Sequence, residues 1–162
     1  MTVSARQASP PRQGSDRRTT SSTAIAVDLG SCTAGVWAAH HGAISAPWGE
    51  GSAAGGALVR RGSIVDVDGC TNLLSRLVRR YPQPVPDGGV VVACRPLLAG
   101  EDDQDAARRV IDAVFAPARL LFIDTVSAAA IGSGAAAGAL LVVDVGAELT
   151  EVALLKDRKS VV

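Results

Sequence analysis

Two stretches of this 162-residue chain share one design: an apolar run ends in Asp, one residue and a Gly follow, and after a short turn a second apolar run leads away. They are Val27-Asp28-Leu29-Gly30, within residues 25–37, and Val143-Asp144-Val145-Gly146, ahead of residues 150–155. Short apolar runs around a glycine-containing turn read as β-hairpins. Any fold for this chain must therefore hold two of them, far apart in sequence. In the first, Ser31, Cys32 and Thr33 place small residues directly after the carboxylate. Such turns aim several backbone N–H groups at one point, which suits a phosphate. The neighbouring Asp can hold a hydrated Mg²⁺ against that phosphate. Asp and Gly are also ordinary turn residues, so one such hairpin alone says little. Two brought face to face could grip a nucleotide's phosphates and one Mg²⁺ between them.

Between the hairpins, apolar runs alternate with helical patterns. Residues 1–22 are rich in Ser, Thr, Arg, Gln and Pro, which predicts a disordered basic tail. They contain no apolar signal core. Strands are expected at 24–29, 35–40 and 43–48, then a glycine-rich loop at 49–57 without the G-x-x-x-x-G-K-[ST] pattern. His40-His41 has no third ligand nearby in sequence and reads as a turn rather than a metal site. Residues 58–68 lead into a helix over 70–81, with Leu73, Leu74, Leu77 and Val78 at helical spacing and Arg76, Arg79 and Arg80 facing out. Prolines in 82–89 end it. Residues 89–94 form a continuous apolar strand of the kind buried on both faces. A helix over 101–115 follows, its N-terminal end favoured by Glu101, Asp102 and Asp103. A strand at 120–123, a small-residue helix at 125–137, and a closing hairpin at 140–145 and 150–155 complete the fold. Residues 157–162 are a short tail. The class is α/β with a mixed sheet and right-handed crossovers.

That length supports one domain, spanning residues 23–156, and not two. Residues are 48% hydrophobic but only 3% aromatic, so Ala, Val, Leu and Ile must fill the core. A formal net charge of zero argues against a general nucleic-acid binder. Cys32, Cys70 and Cys94 are widely spaced with no C-x-x-C, which predicts reduced thiols in a cytoplasmic protein and no zinc site. The uncharged run at 125–143 approaches the length of a membrane span. Its glycines and flanking carboxylates fit a helix and a buried strand better.

The paired hairpins resemble those of the actin-like ATPases, whose nucleotide-binding lobes have a ribonuclease-H-like fold. Within that superfamily the chain is most similar to the MreB-type bacterial actin homologues, the rod shape-determining family. Asp28-Leu29-Gly30-Ser31-Cys32-Thr33 looks like the family's first phosphate motif, D-L-G-T-A-N. Residues 60–68, R-R-G-S-I-V-D-V-D, are similar to R-P-L-K-D-G-V-I-A-D-F, and 90–96 to the strand ending in V-P. Residues 123–134, I-D-T-V-S-A-A-A-I-G-S-G, match I-E-E-P-x-A-A-A-I-G-A-G most sharply. Residues 141–154 look like the second phosphate motif, D-I-G-G-G-T-T-E-V-A. The A-A-A-I-G element favours MreB over DnaK-type chaperones.

The resemblance implies a site for ATP and Mg²⁺ built from Asp28, Gly30, Ser31, Cys32, Thr33, Asp144, Gly146 and Thr150. Asp28 and Asp144 would hold the metal through water. It also implies a carboxylate that positions the attacking water, and Asp105 falls at that place, one methylene shorter than the family's Glu. Asp105 reads equally well as an early-helix charge.

The departures are concentrated in the second motif, where Gly146-Ala147-Glu148-Leu149 replaces Gly-Gly-Gly-Thr. Ala147 adds a Cβ, Leu149 removes a hydroxyl, and Glu148 brings a negative charge. At about 4 Å and an effective dielectric near 20, that charge would repel a phosphate by about 4 kcal/mol, roughly a thousandfold in affinity. Thr125-Val126 stands where the family has Glu-Pro. The chain also matches only about the family's first lobe, so a single lobe is expected. The expectation is a truncated, MreB-like accessory factor with a degenerate nucleotide site. It would act through a full-length actin homologue or cell-wall morphogenesis proteins, in the cytoplasm, with the basic tail available to the inner face of the membrane. The alternatives are a reduced Mg-ATP-binding ATPase and a product without function.

Overall fold

The computed structural model describes residues 24–48, 56–134 and 138–156, and the backbone of 159–161. The expected N-terminal tail and most of the glycine-rich loop lie outside the described residues. In chain order the elements are β1 (Ala24–Leu29), β2 (Thr33–Ala38), β3 (Gly42–Pro47), β4 (Val59–Arg60), β5 (Ser63–Ile64) and α1 (Val67–Val78). They continue with β6 (Val90–Arg95), α2 (Glu101–Phe115), β7 (Arg119–Asp124), α3 (Thr125–Gly132), β8 (Ala139–Val145), β9 (Thr150–Lys156) and β10 (Lys159–Val161).

A five-stranded mixed sheet with order β3-β2-β1-β6-β7 is the base of the molecule. β1 lies at its centre, antiparallel to β2 and parallel to β6, and β6 pairs parallel to β7. Its strands alternate: Ile25, Val27, Ala34, Val36, Val91 and Ala93 point to one face and are buried there. On that face lie Cys70, Leu73, Leu74 and Leu77 of α1 and Val110, Ile111 and Phe115 of α2, closing a core made almost wholly of aliphatic side chains. Tyr81, just past α1, donates its hydroxyl to the carbonyls of Gly42 and Val36, tying the helix end to the β2–β3 turn.

Three local details differ from the sequence reading. α1 begins at Val67, three residues earlier than expected, because the Asp66 carboxylate accepts the Gly69 N–H at 2.8 Å and caps the helix there. Residues 58–64 contain an unforeseen two-strand ladder, whose turn Arg61-Gly62 has φ of +50° and +79°. Paired left-handed residues match the twist of a two-residue hairpin, though Arg-Gly is not the usual signature. α3 stops at Gly132: Ser133 N–H bonds back to Ala129 O and Gly134 takes a φ of +70°.

The closing hairpin also does not extend the first sheet. β8 pairs with β9, and β9 on its other side with β10, formed by residues expected as a tail, in a separate three-stranded sheet. α3 lies between the sheets and packs Val126 and Ala130 against Ala153 and Leu155. The run considered as a membrane span is thus α3 and β8, and no described helix is long and apolar enough to cross a membrane.

Leu74 is 0% exposed at the centre of the α1 contact with the sheet. Replacing it with Ala removes three buried carbons from a close-packed core that relaxes only in part into the gap. Leu74→Ala is expected to cost about 2–5 kcal/mol, measured as a lower urea midpoint at unchanged m-value.

Candidate functional site

The two Asp-Gly hairpins meet. β1 carries Asp28 out of the centre of the first sheet, opposite Gly35, and β8 carries Asp144 out of the second, opposite Glu151. Their turns face each other across a cleft of about 220 Å³. Asp28, Gly30, Ser31, Cys32 and Thr33 line one side, and Asp144 and Gly146 the other.

Each turn is closed tightly. Gly146 N–H donates to Leu149 O at 2.9 Å, and a Cβ on Gly146 would come within 2.8 Å of that oxygen, so the position requires glycine. Gly30 stands in the same relation to Thr33 O, at 3.3 Å for an added Cβ. Its carbonyl accepts a hydrogen bond from the buried Trp48 indole, which fixes the first turn to the end of β3.

Asp105 and Thr150 are not brought to the cleft. Asp105 is exposed on α2, while Asp103 and Gln104 of the same turn line a small adjoining cavity with Gly62 and Pro96. Successive helical residues differ by about 100° in direction, and Asp105 lies on the wrong side of that step. Thr150 shares the outward face of its strand with Val152 and Leu154, by the two-residue period of β structure. Its neighbour Glu151 faces inward instead, lines the cleft and accepts the Leu97 N–H. Glu151 was legible as the acidic residue of the second motif, but only strand parity reveals which of the pair points in.

Several other lining groups were not among the expected site residues. Gly62, Cys94, Pro96, Thr125 and Leu149 arrive from the β4–β5 turn, the end of β6, the start of α3 and the second turn itself. Arg95 and Asp124, paired across β6 and β7, form an ion pair at 3.0 Å. Thr125 donates its hydroxyl to Arg95 O at 2.9 Å. These contacts fix the strand ends from which the cleft is built.

Glu148 is the main surprise. It does not line the cleft; its carboxylate turns outward and accepts the Arg61 backbone N–H at 2.8 Å. On the other hairpin the Ser31 hydroxyl accepts the N–H of Gly62 at 3.1 Å. One two-residue turn therefore touches both phosphate-type turns. It can do so because Gly62 has a left-handed backbone and lacks a Cβ, which would sit 2.3 Å from Pro96 Cγ.

Electrostatically the cleft is acid-rich. Partial burial, then the charge of Asp144, push the Asp28 carboxyl above its ordinary range. Burial and the same two carboxylates push the Cys94 thiol up to about 11. Cys70, buried and near Asp66, is pushed to about 12, and all three cysteines are free. Two carboxylates sharing a small cleft suit a divalent ion that keeps its water and takes further oxygens from a phosphate. They do not form a closed protein cage: no group of three or more metal-ligating side chains occurs among the described residues.

A five-stranded mixed sheet opening on a β-meander, with Asp-Gly hairpins from two sheets meeting over one cleft, defines the actin-like ATPase fold. The same fold appears in MreB5 of Spiroplasma citri bound to AMPPNP, with a TM-score of 0.76 and 16% identity over 87% of this chain and 51% of that one. MreB5 bound to ADP gives 0.72 and 16% identity over 87% and 50%. The ethanolamine utilization protein EutJ of Carboxydothermus hydrogenoformans gives 0.65 and 19% over 86% and 50%. The chain spans about half the length of these structures. No protein-family model and no curated protein sequence matches it.

Two predictions follow from the charges. Because the Asp28 pKa is raised by folding, its contribution favours the folded state below the unfolded value of 3.8 and is lost as pH rises through the folded value. Asp28→Asn should therefore raise the melting temperature at pH 7 and leave it nearly unchanged at pH 3.5, read by calorimetric scans at both pH values. Glu148→Ala should release the Arg61 amide, read as faster hydrogen exchange there. The stability loss should be only about 0.5–1 kcal/mol, because the bond is exposed.

Proposed function

We propose that this chain is an interaction module of the actin-like fold. It binds a full-length actin homologue within a cell-shape or wall-morphogenesis assembly and is not a free-standing ATPase. The observation that carries this reading is the outer face of β8–β9. There Leu141 lies opposite Leu154 and Val143 opposite Val152, with Val145 beyond, and all five are exposed, Leu141 at 64% and Val143 at 56%. A contiguous aliphatic face of this kind marks a surface that another molecule covers. An actin-like partner is supported by the MreB-like motifs and by the fold shared with MreB5. Such a partner puts the protein in the cytoplasm, at the inner face of the membrane.

A second reading, binding of Mg-ATP, is favoured by the meeting of Asp28 and Asp144 and by the outward turn of Glu148. Size counts against it. Ligand pockets usually run from roughly 300 to 1,000 Å³, and about 220 Å³ suits phosphates and a hydrated cation better than a whole nucleotide.

The test is co-purification with the full-length actin homologue of the source organism, using the natural chain and a Val143→Asp, Val152→Ser variant. Both positions are exposed, so the variant should fold. Capture by the natural chain and its loss in the variant is the expected result; no capture by either would sink the reading. Calorimetric titration with Mg-ATP separates the second reading: micromolar binding abolished by Asp28→Ala would establish nucleotide binding instead.

A further inference from the structure

The edge of the first sheet away from the cleft carries a different surface. β3 is the outermost strand, paired only with β2 among the described residues. Trp48 N–H bonds to Cys32 O, so by alternation the even-numbered residues of β3 point their backbone groups at β2. Ala43 and Ser45 therefore direct their N–H and C=O groups outward, together with the Pro47 carbonyl. Only the Ser45 carbonyl is engaged there, by Arg80 Nη1 at 3.3 Å.

Beside this edge runs a groove between β3 and α1. Ala46, Pro47, Leu73 and Leu77 give it an apolar floor, and Arg76 and Arg80 wall it, enclosing about 200 Å³. That is room for one aliphatic side chain. A second hollow beyond it is lined by Asn72, Ser75, Arg76 and Arg79. All three arginines are exposed, and none has an ion-pair partner among the described residues. They are long cationic side chains gathered at one helix end, next to unpaired strand backbone. The chain's own segments outside the described residues hold no run of carboxylates: 1–23 carries four arginines against one Asp, 49–55 a single acid, Glu50, and 157–158 Asp157 beside Arg158.

We propose that this edge is a docking site for an extended, acidic segment of a partner protein, which adds a strand to β3. The backbone of the segment would pair with Ala43 and Ser45. Side chains two apart along an added strand project to the same face. One aliphatic residue would enter the groove over Leu73 and Leu77, and carboxylates two positions to either side would reach Arg76 and Arg80. Guanidinium groups favour this because they bind a carboxylate with two parallel N–H donors. The site shares no residue with the cleft or with the outer face of β8–β9, so it stands or falls separately from the function proposed above.

The test uses an acetylated heptapeptide, Thr-Glu-Thr-Leu-Thr-Glu-Thr, with a fluorescent label for anisotropy and unlabelled for amide exchange by NMR. Saturable binding is expected, weakening with added salt and by about tenfold in Arg76→Ala, Arg80→Ala protein. The Ala43 and Ser45 amides should gain protection. A peptide with Lys for both Glu, and one with Pro replacing the Thr before Leu, should bind far more weakly. The proposal is overturned if the Lys peptide binds equally well, if the arginine variant binds unchanged, or if the two amides stay unprotected. Absence of peptide binding alongside arginine-dependent binding to phosphatidylglycerol vesicles would overturn it too, by assigning the arginines to a membrane surface.

Discussion

The two sheets are held together by one short helix, and the cleft exists because that helix is built of small residues. α3 runs Thr-Val-Ser-Ala-Ala-Ala-Ile-Gly and buries Val126, Ser127 and Ala130. Their small volume lets β8 and β9 approach the ends of β6 and β7 closely enough for a single bond, Leu97 N–H to Glu151, to bridge the gap. A Leu in place of Ala130 would overpack this contact, and overpacking typically costs about 1–3 kcal/mol. It would also displace Asp144 relative to Asp28. Core packing at α3 and electrostatics at the cleft are thus one constraint viewed at two distances.

Those electrostatics place acid beside acid. Asp28, Asp144 and Glu151 converge on the cleft beside two thiols, Cys32 and Cys94, and burial, then the first two carboxylates, raise the Cys94 thiol. Arg95, at the end of β6, is already bound to Asp124. Among the described residues no Lys or Arg lines the cleft to neutralise the Asp28–Asp144 pair. Such an arrangement costs folding free energy at neutral pH and is relieved by a cation from outside. A divalent ion that keeps part of its water is the kind of group that would satisfy this local field.

Much of this was legible in the sequence. The V-D-x-G repeat placed both hairpins and seven cleft residues, and the apolar periods placed α1 and α2, the latter over the same residues, Glu101–Phe115. What escaped was geometry that patterns do not carry. Thr150 and Glu151 are adjacent, and only the pairing of Val145 with Thr150 decides which side chain faces in. The resemblance puts Asp105 at the water-positioning place, whereas α2 turns Asp103 and Gln104 toward the site. The β4–β5 ladder has two residues per strand, too short to show a period, and its turn departs from the usual composition. The separate second sheet was hidden because a hairpin pattern does not state which sheet it joins.

Glu148 shows how a departure from a motif can act differently from its charge sign. Read in sequence, it stands where a phosphate would lie and repels it. In the fold it is an internal anion that has found a donor, the Arg61 amide, beside the turn whose next residue, Gly62, is held by Ser31. An intramolecular ligand competes at an effective concentration of about a millimolar or more when its tether is short. An incoming anion that needed this turn rearranged would have to overcome that local carboxylate first. Competition of this kind acts at the rim of the cleft, where Arg61 and Gly62 touch both hairpins.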